Sequence, residues 1–244
     1  MPIPMSRRPG MAAYLQIEEE IAKRIESGEI APGQRIPPER VFCDQLGVSR
    51  MTVRQALGRL EQRGLLVRQQ GRGTFASQPK IRQSATVLRG FFEEMVGQGL
   101  VPTSRLLSVE ERVAPQSLAQ ALELRLGETV YTITRVRSAS TSPVVLERSS
   151  FPTRLVPGLL DMDLEHSSIY RLLEESFDAR PIRATQSMEA ISAESWEAGL
   201  LDVPVESPLM LVQRTAWDGR GRAVEHARDF YRADRSRFVT ELRL

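Results

Sequence analysis

Two pairs of arginines stand at spacings that give them a shared chemistry. Arg50 and Arg54 are four residues apart, which on a helix makes them neighbours on one face. Ser49 immediately before them is a favoured N-cap, and Thr52 and Gln55 lie between and beside them. A guanidinium near a helix start can take guanine O6 and N7 together, Thr or Gln can read other base edges, and the capped amides can meet a phosphate. The second pair, Arg135 and Arg137, is two apart in the alternating run Glu128–Arg137, so a strand puts Tyr131, Ile133, Arg135 and Arg137 on one face. Two cations among large apolar side chains need a counter-charge. An anion lying across both guanidinium groups supplies one, and Glu147, on one face of the next strand with Val145, Ser149 and Phe151, supplies another. Ser167 or Ser168 starts a helix at His166–Tyr170, either as a plain cap or as an anion-binding N-terminus. Further on, Glu225, Asp229 and Tyr231 share one strand face, and His226 and Arg228 the other.

Other chemistries lack their residues. Cys43 is the single cysteine, which excludes an internal disulfide and a cysteine zinc site. His166 and His226 have no partners at metal-ligand spacing, so no metal and no cofactor is expected. An enzyme in the second half of the chain would need a general acid–base set. Glu147, Glu225 and His226 have no motif that brings them together, and there is no nucleophile elbow.

The elements that must position these groups are readable from periodicity. Tyr14, Ile17, Ile21 and Ile25 make the stripe of a helix from about 11 to 27, and a short helix runs from Glu39 to Leu46. Gly47 ends it. The helix from Ser49 to about Arg63 buries Val53, Ala56, Leu57 and Leu60, leaving Arg50, Thr52, Arg54 and Gln55 to face outward. Leu65–Val67 and Thr74–Phe75 read as two strands around the turn Gln70–Gly73, with Arg72 at its tip. Three helices and such a ribbon make a winged helix-turn-helix, whose second helix of the motif enters the major groove.

Beyond a polar, aperiodic stretch at 76–86, alternating runs appear at about 103–113, 128–139, 143–151, 181–192, 208–218 and 223–233, with a short one near 237–242. Helical segments interrupt them at 88–98, 115–122, 168–177 and 194–201. Strands and helices do not alternate regularly, so the fold class is α+β, with an antiparallel sheet carrying packed helices. The expected domains are 1–75, a linker at 76–86, and 87–244.

Charge follows the same division. The chain of 244 residues has 33 basic and 31 acidic side chains, a net +2, yet residues 1–80 hold 13 basic and 8 acidic, and 81–244 hold 20 and 23. Only two of the basic residues are lysines, an arginine bias that makes a raw arginine count poor support for nucleic-acid binding. Within 30–75, however, eight basic side chains face three acidic ones, an electrostatic footprint fit for DNA. No apolar run reaches the roughly 18 residues of a membrane span, and the N-terminal ten residues lack an apolar signal core, so a cytoplasmic location is expected.

Residues 36–76 closely resemble the DNA-binding domain of the GntR family of bacterial transcription regulators. The resemblance is carried by Pro37–Arg40, Gly47–Arg50, Thr52–Leu57 and Gly71–Phe75. It implies that Arg40 contacts the DNA backbone, that Arg50 and Arg54 read bases or phosphates with Thr52 supporting them, and that Gln70, Gly71 and Arg72 sit at the minor groove. It also implies a homodimer on an inverted repeat. Residues from about 85 to 240 resemble the UTRA effector domain of the HutC subfamily, through Phe91–Met95, Arg135–Arg137, Pro143–Glu147, Ser168–Tyr170 and Glu225–Arg235. That resemblance implies a chorismate-lyase-like antiparallel sheet binding a small metabolite, a phosphosugar or a carboxylate. Arg135, Arg137 and Ser168 would hold its anionic group, Glu147, Glu225 and Tyr231 its polar groups, and Phe91 would line the pocket. One departure stands out: phosphosugar-binding relatives carry hydroxyl residues on both sides of the Phe91 position, where this chain has Gly90 and Phe92. The expected function is a ligand-responsive repressor acting on double-stranded DNA; a constitutive DNA-binding protein whose second domain only dimerises is the competing reading.

Overall fold

Ile17 and Ile21 on α1 (Ala13–Glu26), Phe42 on α2 (Glu39–Leu46) and Val53, Ala56, Leu57 and Leu60 on α3 (Arg50–Gln62) meet in one apolar cluster, which Ile36 and Leu66 complete. The stripe on α3 is the one its periodicity predicts. Gly47 ends α2 in a left-handed conformation, φ 63°, which a residue with a Cβ adopts only at a cost, and this permits the sharp turn into α3. β1 (Leu66–Gln69) and β2 (Gly73–Ala76) pair antiparallel as the wing, and Arg35 bridges to Phe75 beside them. The computed structural model describes residues 10–69, 71–77, 80–139 and 142–242, and the chain divides into two units between Lys80 and Ile81.

The second unit begins earlier than the linker at 76–86 allows. Ala76 ends β2, and β3 (Ile81–Ser84) pairs in parallel with β10 (Ser236–Val239). A four-residue strand with the burial pattern of Ile81–Ser84 leaves no alternating apolar run, so its partner alone makes it a strand. The other elements are α4 (Phe91–Val96), β4 (Pro102–Val113), α5 (Gln116–Ala121), β5 (Thr129–Ala139), β6 (Ser142–Pro152), α6 (Ile169–Phe177), β7 (Pro181–Ser192), α7 (Ser195–Leu201), β8 (Pro208–Asp218) and β9 (Ala223–Arg232). α4 is shorter than the helical segment expected at 88–98, because Gly90 caps one end and Gly97 the other.

β4 to β9 form one antiparallel sheet in the order β4-β5-β6-β9-β8-β7. It consists of two three-stranded meanders joined where β6 meets β9. α4 and α6 pack on one face, over Val145, Val212 and Tyr231 and over Ile133 and Phe151 respectively. α5 and α7 cover the two ends of the other face. No helix among the described residues is long and apolar enough to cross a membrane.

One ion pair ties the first unit together. Glu18 of α1 is buried and accepts from Arg59 and, at 2.9 Å, from Arg63 of α3. Burial alone would raise its pKa, but the two guanidinium groups hold it below the usual carboxylate range. This contribution is present above about pH 4.5 and is lost as pH falls through the lowered value. Replacing Glu18 with Gln should therefore cost about 1 kcal/mol at pH 7, a value discounted for the half-exposed arginines. Denaturant unfolding of both chains at pH 7 and pH 3 should show the difference at pH 7 and a smaller one at pH 3.

Candidate functional site

The α2–α3 corner presents the groups expected to meet DNA. Ser49 caps α3 by accepting from the Thr52 amide at 3.2 Å, and the two hydroxyls lie 2.9 Å apart. Thr52 is half-exposed, and its hydroxyl shares this exposed cap with Ser49. Arg50 is exposed, and Arg40 on α2 has a side chain 81% exposed with only a 3.7 Å contact to Asp44. Arg54 donates through Nε to both oxygens of Glu39, at 3.0 and 3.1 Å, so an incoming phosphate or base must share it. At the wing tip Gly71 takes φ 72° and Arg72 is exposed, while Gln70 lies outside the described residues. Met51 is 72% exposed beside Arg50, an outward position that follows from the buried stripe but draws no attention as an apolar residue.

In the second unit a cavity of about 270 Å³ opens between the sheet face, the start of α6 and the segment Gln83–Phe92. Phe91, Arg135, Arg137, Glu147, Ser168, Glu225 and Tyr231 all line it, although they come from α4, β5, β6, the start of α6 and β9. Register explains the convergence: Arg135 lies opposite Glu147, and Glu147 opposite Asp229, across three adjacent strands.

The two arginines are not equivalent. Arg135 donates to Glu147 from Nε, at 2.9 Å, and from Nη2, and its Nη1 donates to the Leu164 carbonyl at 2.9 Å. Its donors on both sides are thus engaged within the protein. Arg137 reaches Glu147 at 3.4 Å through Nη1, its Nε is buried without a hydrogen bond, and its guanidinium lies 4.8 Å from the centre of the Phe91 ring. The bonds to Glu147 all fall on Oε2. Of the two alternatives read from the sequence, the structure shows the pairing of Glu147 with both arginines, and the Arg137 Nε is left without a partner. Ser168, not Ser167, caps α6, accepting from the Arg171 amide at 3.4 Å. A Cβ at Gly90 would clash with Glu93 Oε2 and lie 3.3 Å from the Ser168 hydroxyl, so the Glu93 carboxylate takes the space a side chain would fill.

Burial would raise the pKa of Glu147, but Arg135 and Arg137 hold it at about 2. Asp229 beside it has the opposite fate. Burial first, then the neighbouring Glu147 and Glu225, push it up to about 8 against the pull of Arg214. Of two adjacent carboxyls, the one with two guanidinium partners keeps the charge and the other keeps a proton.

Arg214, which periodicity and motif did not single out, and Tyr170, which the Ser168–Tyr170 motif contains but to which no role was given, also line this cavity. Tyr170 donates to Glu225 at 2.6 Å, and burial and that carboxylate raise its pKa well above the usual tyrosine value. Arg214 sits 3.6 Å from Glu225 and from Asp229 with its Nε unbonded. The signal was available: period two places Met210, Val212, Arg214 and Ala216 on one face of β8. His166 contacts Asp163 and His226 contacts Thr215, each at 3.0–3.1 Å, and no metal-binding cluster occurs among the described residues.

A raised carboxyl pKa makes the folded state bind a proton that the unfolded state has lost. Asp229 should therefore draw stability away as pH rises from about 4 to about 8. Asp229→Asn should remove this downward slope. Melting temperatures of both chains across that window check it; parallel curves would mean that Asp229 is ionised throughout.

Comparison with known proteins accords with these two units. Residues 13–76 match the model of bacterial regulatory proteins of the gntR family, and residues 97–237 match the UTRA domain. The chain is 39% identical over 236 residues to the HTH-type transcriptional repressor NagR of Bacillus subtilis, covering 96% of each. It is 31% identical to the histidine utilization repressor of Pseudomonas putida, over 85% of this chain and 83% of that one. Among solved structures, PhnF from Mycobacterium smegmatis superposes with a TM-score of 0.67 at 29% identity, over 93% of this chain and 99% of that one. Matches of this extent in both units are decisive: the chain belongs to the GntR family of transcription regulators and carries a UTRA domain.

Proposed function

We propose that this protein is a cytoplasmic repressor that binds an inverted-repeat operator as a homodimer and responds to a small anionic metabolite held in the cavity of its second domain. The observation that carries the reading is Arg137, which lines the cavity with Ser168 and Phe91 and whose buried Nε has no hydrogen-bond partner. A buried guanidinium N–H without an acceptor is costly, and a phosphate or carboxylate oxygen supplies one. Glu147 through Oε1, Glu225 and Tyr231 offer groups for hydroxyls. The Gly90 and Phe92 departure leaves a phosphosugar and a carboxylate both in play.

On the DNA side, Arg40 and Arg50 serve as the exposed contacts, Arg54 exchanges its bond to Glu39 for one to DNA, and Gly71 and Arg72 bring the wing to the minor groove. Operator and effector binding are coupled, so each weakens the other by the same factor. Names among the relatives, such as the histidine utilization repressor and the probable fructoselysine utilization operon repressor of Escherichia coli, support control of a catabolic operon by its own metabolite.

Two measurements test the two halves of this reading. Arg50→Ala should weaken specific operator binding by about 1–3 kcal/mol and relax base preference, measured by fluorescence anisotropy against wild type and scrambled sites. Arg137→Ala should lower the affinity for the effector found in a thermal-shift screen by about 1.5–3 kcal/mol, with loss of operator release. Unchanged metabolite sensitivity in Arg137→Ala would remove the cavity from the mechanism.

A further inference from the structure

β3 carries a second unsatisfied group into the same cavity. Gln83 is 5% exposed, lines the cavity, and its Nε2 is buried with no hydrogen-bond partner. The strand around it leaves nothing else unsettled. Gln83 sits in register with Phe238 on β10, and Phe238 packs edge-on against Tyr231, with ring centres 5.2 Å apart. On the other side Gln98 accepts from the Arg82 amide at 3.1 Å and donates to the Arg82 carbonyl at 2.6 Å, while Glu94 accepts from the Ser84 amide at 3.3 Å. The backbone of β3 is therefore held between β10 and α4, and this holds Gln83 at the cavity wall.

An amide donor buried without an acceptor destabilises a fold, and an apolar side chain of the same volume would avoid the loss. Its retention at the wall of a cavity has a physical reason when the acceptor arrives with a ligand. The ligand atom must be an oxygen with a lone pair directed at β3: a hydroxyl, carbonyl, carboxylate or phosphate oxygen. Arg137 and Gln83 are then two donors awaiting acceptors in one chamber, one charged and one neutral.

We propose that Gln83 is an effector-contacting residue, donating its side-chain N–H to an acceptor oxygen of the effector and so fastening β3 to the occupied cavity. This rests on the effector reading of the cavity given above. β3 starts at Ile81, directly after the boundary between the two units, so a ligand that takes this bond acts on the first stretch of chain leading out of the DNA-binding unit. Gln83 thus belongs to the coupling as well as to the binding.

The test uses the full chain with Gln83→Met, which keeps volume and removes the donor, and Gln83→Glu, which keeps shape and offers only acceptors. Without ligand, Gln83→Met should melt at a higher temperature than wild type, because the orphaned donor is gone. Calorimetry with inorganic phosphate, glucose 6-phosphate and glutarate then measures binding. The probe that wild type binds should bind at least about tenfold more weakly to Gln83→Met and more weakly still to Gln83→Glu, and the ratio of operator affinities with and without that probe should shrink. A purely structural Gln83 would instead lower the melting temperature of Gln83→Met and leave probe affinity intact, which overturns the proposal. A wild type that binds none of the three probes overturns the effector reading and Gln83 with it; a wild type and Gln83→Met that bind equally overturn Gln83 alone.

Discussion

Glu147 holds the second domain's polar interior together. Placed on the middle strand of a row that runs Arg135, Glu147, Asp229, it is an ionised carboxylate within bonding distance of two buried guanidinium groups. Without it Arg135 and Arg137 would repel each other in a medium that screens poorly. Burial is the main reason that Asp229 beside it keeps a proton, and the charge of Glu147 adds to it. The cavity's character follows. Arg135 is used up as support, Arg137 is left with an unsatisfied edge, and the polar groups of β9 and α6 are arranged around a fixed centre of charge.

The DNA-binding unit uses a related device at its surface. Glu39 accepts from Arg54 and lies 3.8 Å from Arg68, so a carboxylate on α2 pre-orients an arginine on α3. There the pair is wet, its net worth is small, and an exchange for phosphate oxygens carries little penalty. In the buried cavity the same pairing cannot be exchanged, and only the leftover valence of Arg137 is open. Exposure, not residue type, separates an arginine that can change partners from one that cannot.

Much of this was legible in the sequence because it is local. The buried stripe of α3, the glycine turn before it, the wing and the alternating faces of β5 and β9 all follow from spacing within a dozen residues. The same spacing put Arg135 with Arg137, and Glu225 with Tyr231, on shared strand faces, whereas Phe91 and the choice of Ser168 came only with the UTRA resemblance. What it could not supply was the pairing of β6 with β9, which brings Glu147 beside Asp229 across some eighty residues and lets one carboxyl's charge bear on the other's. β3 was illegible for a different reason. Its polar stretch looks like a linker, and only a partner far along the chain gives it two sides. Arg214 was overlooked through no lack of signal, since the period-two test that exposed Arg135 applies equally to β8.

That distant partner gives the fold a temporal order. Ile81 pairs with Ser236, about 155 residues further along, so closing this two-stranded parallel piece is among the most non-local steps the chain takes. The helical unit before it is built from short-range contacts and can form while the rest is still emerging from the ribosome. The cavity wall carried by β3 can close only after β10 has been made. Until then the nascent chain holds a finished winged helix-turn-helix and an unfinished second unit, so the two units come to completion one after the other.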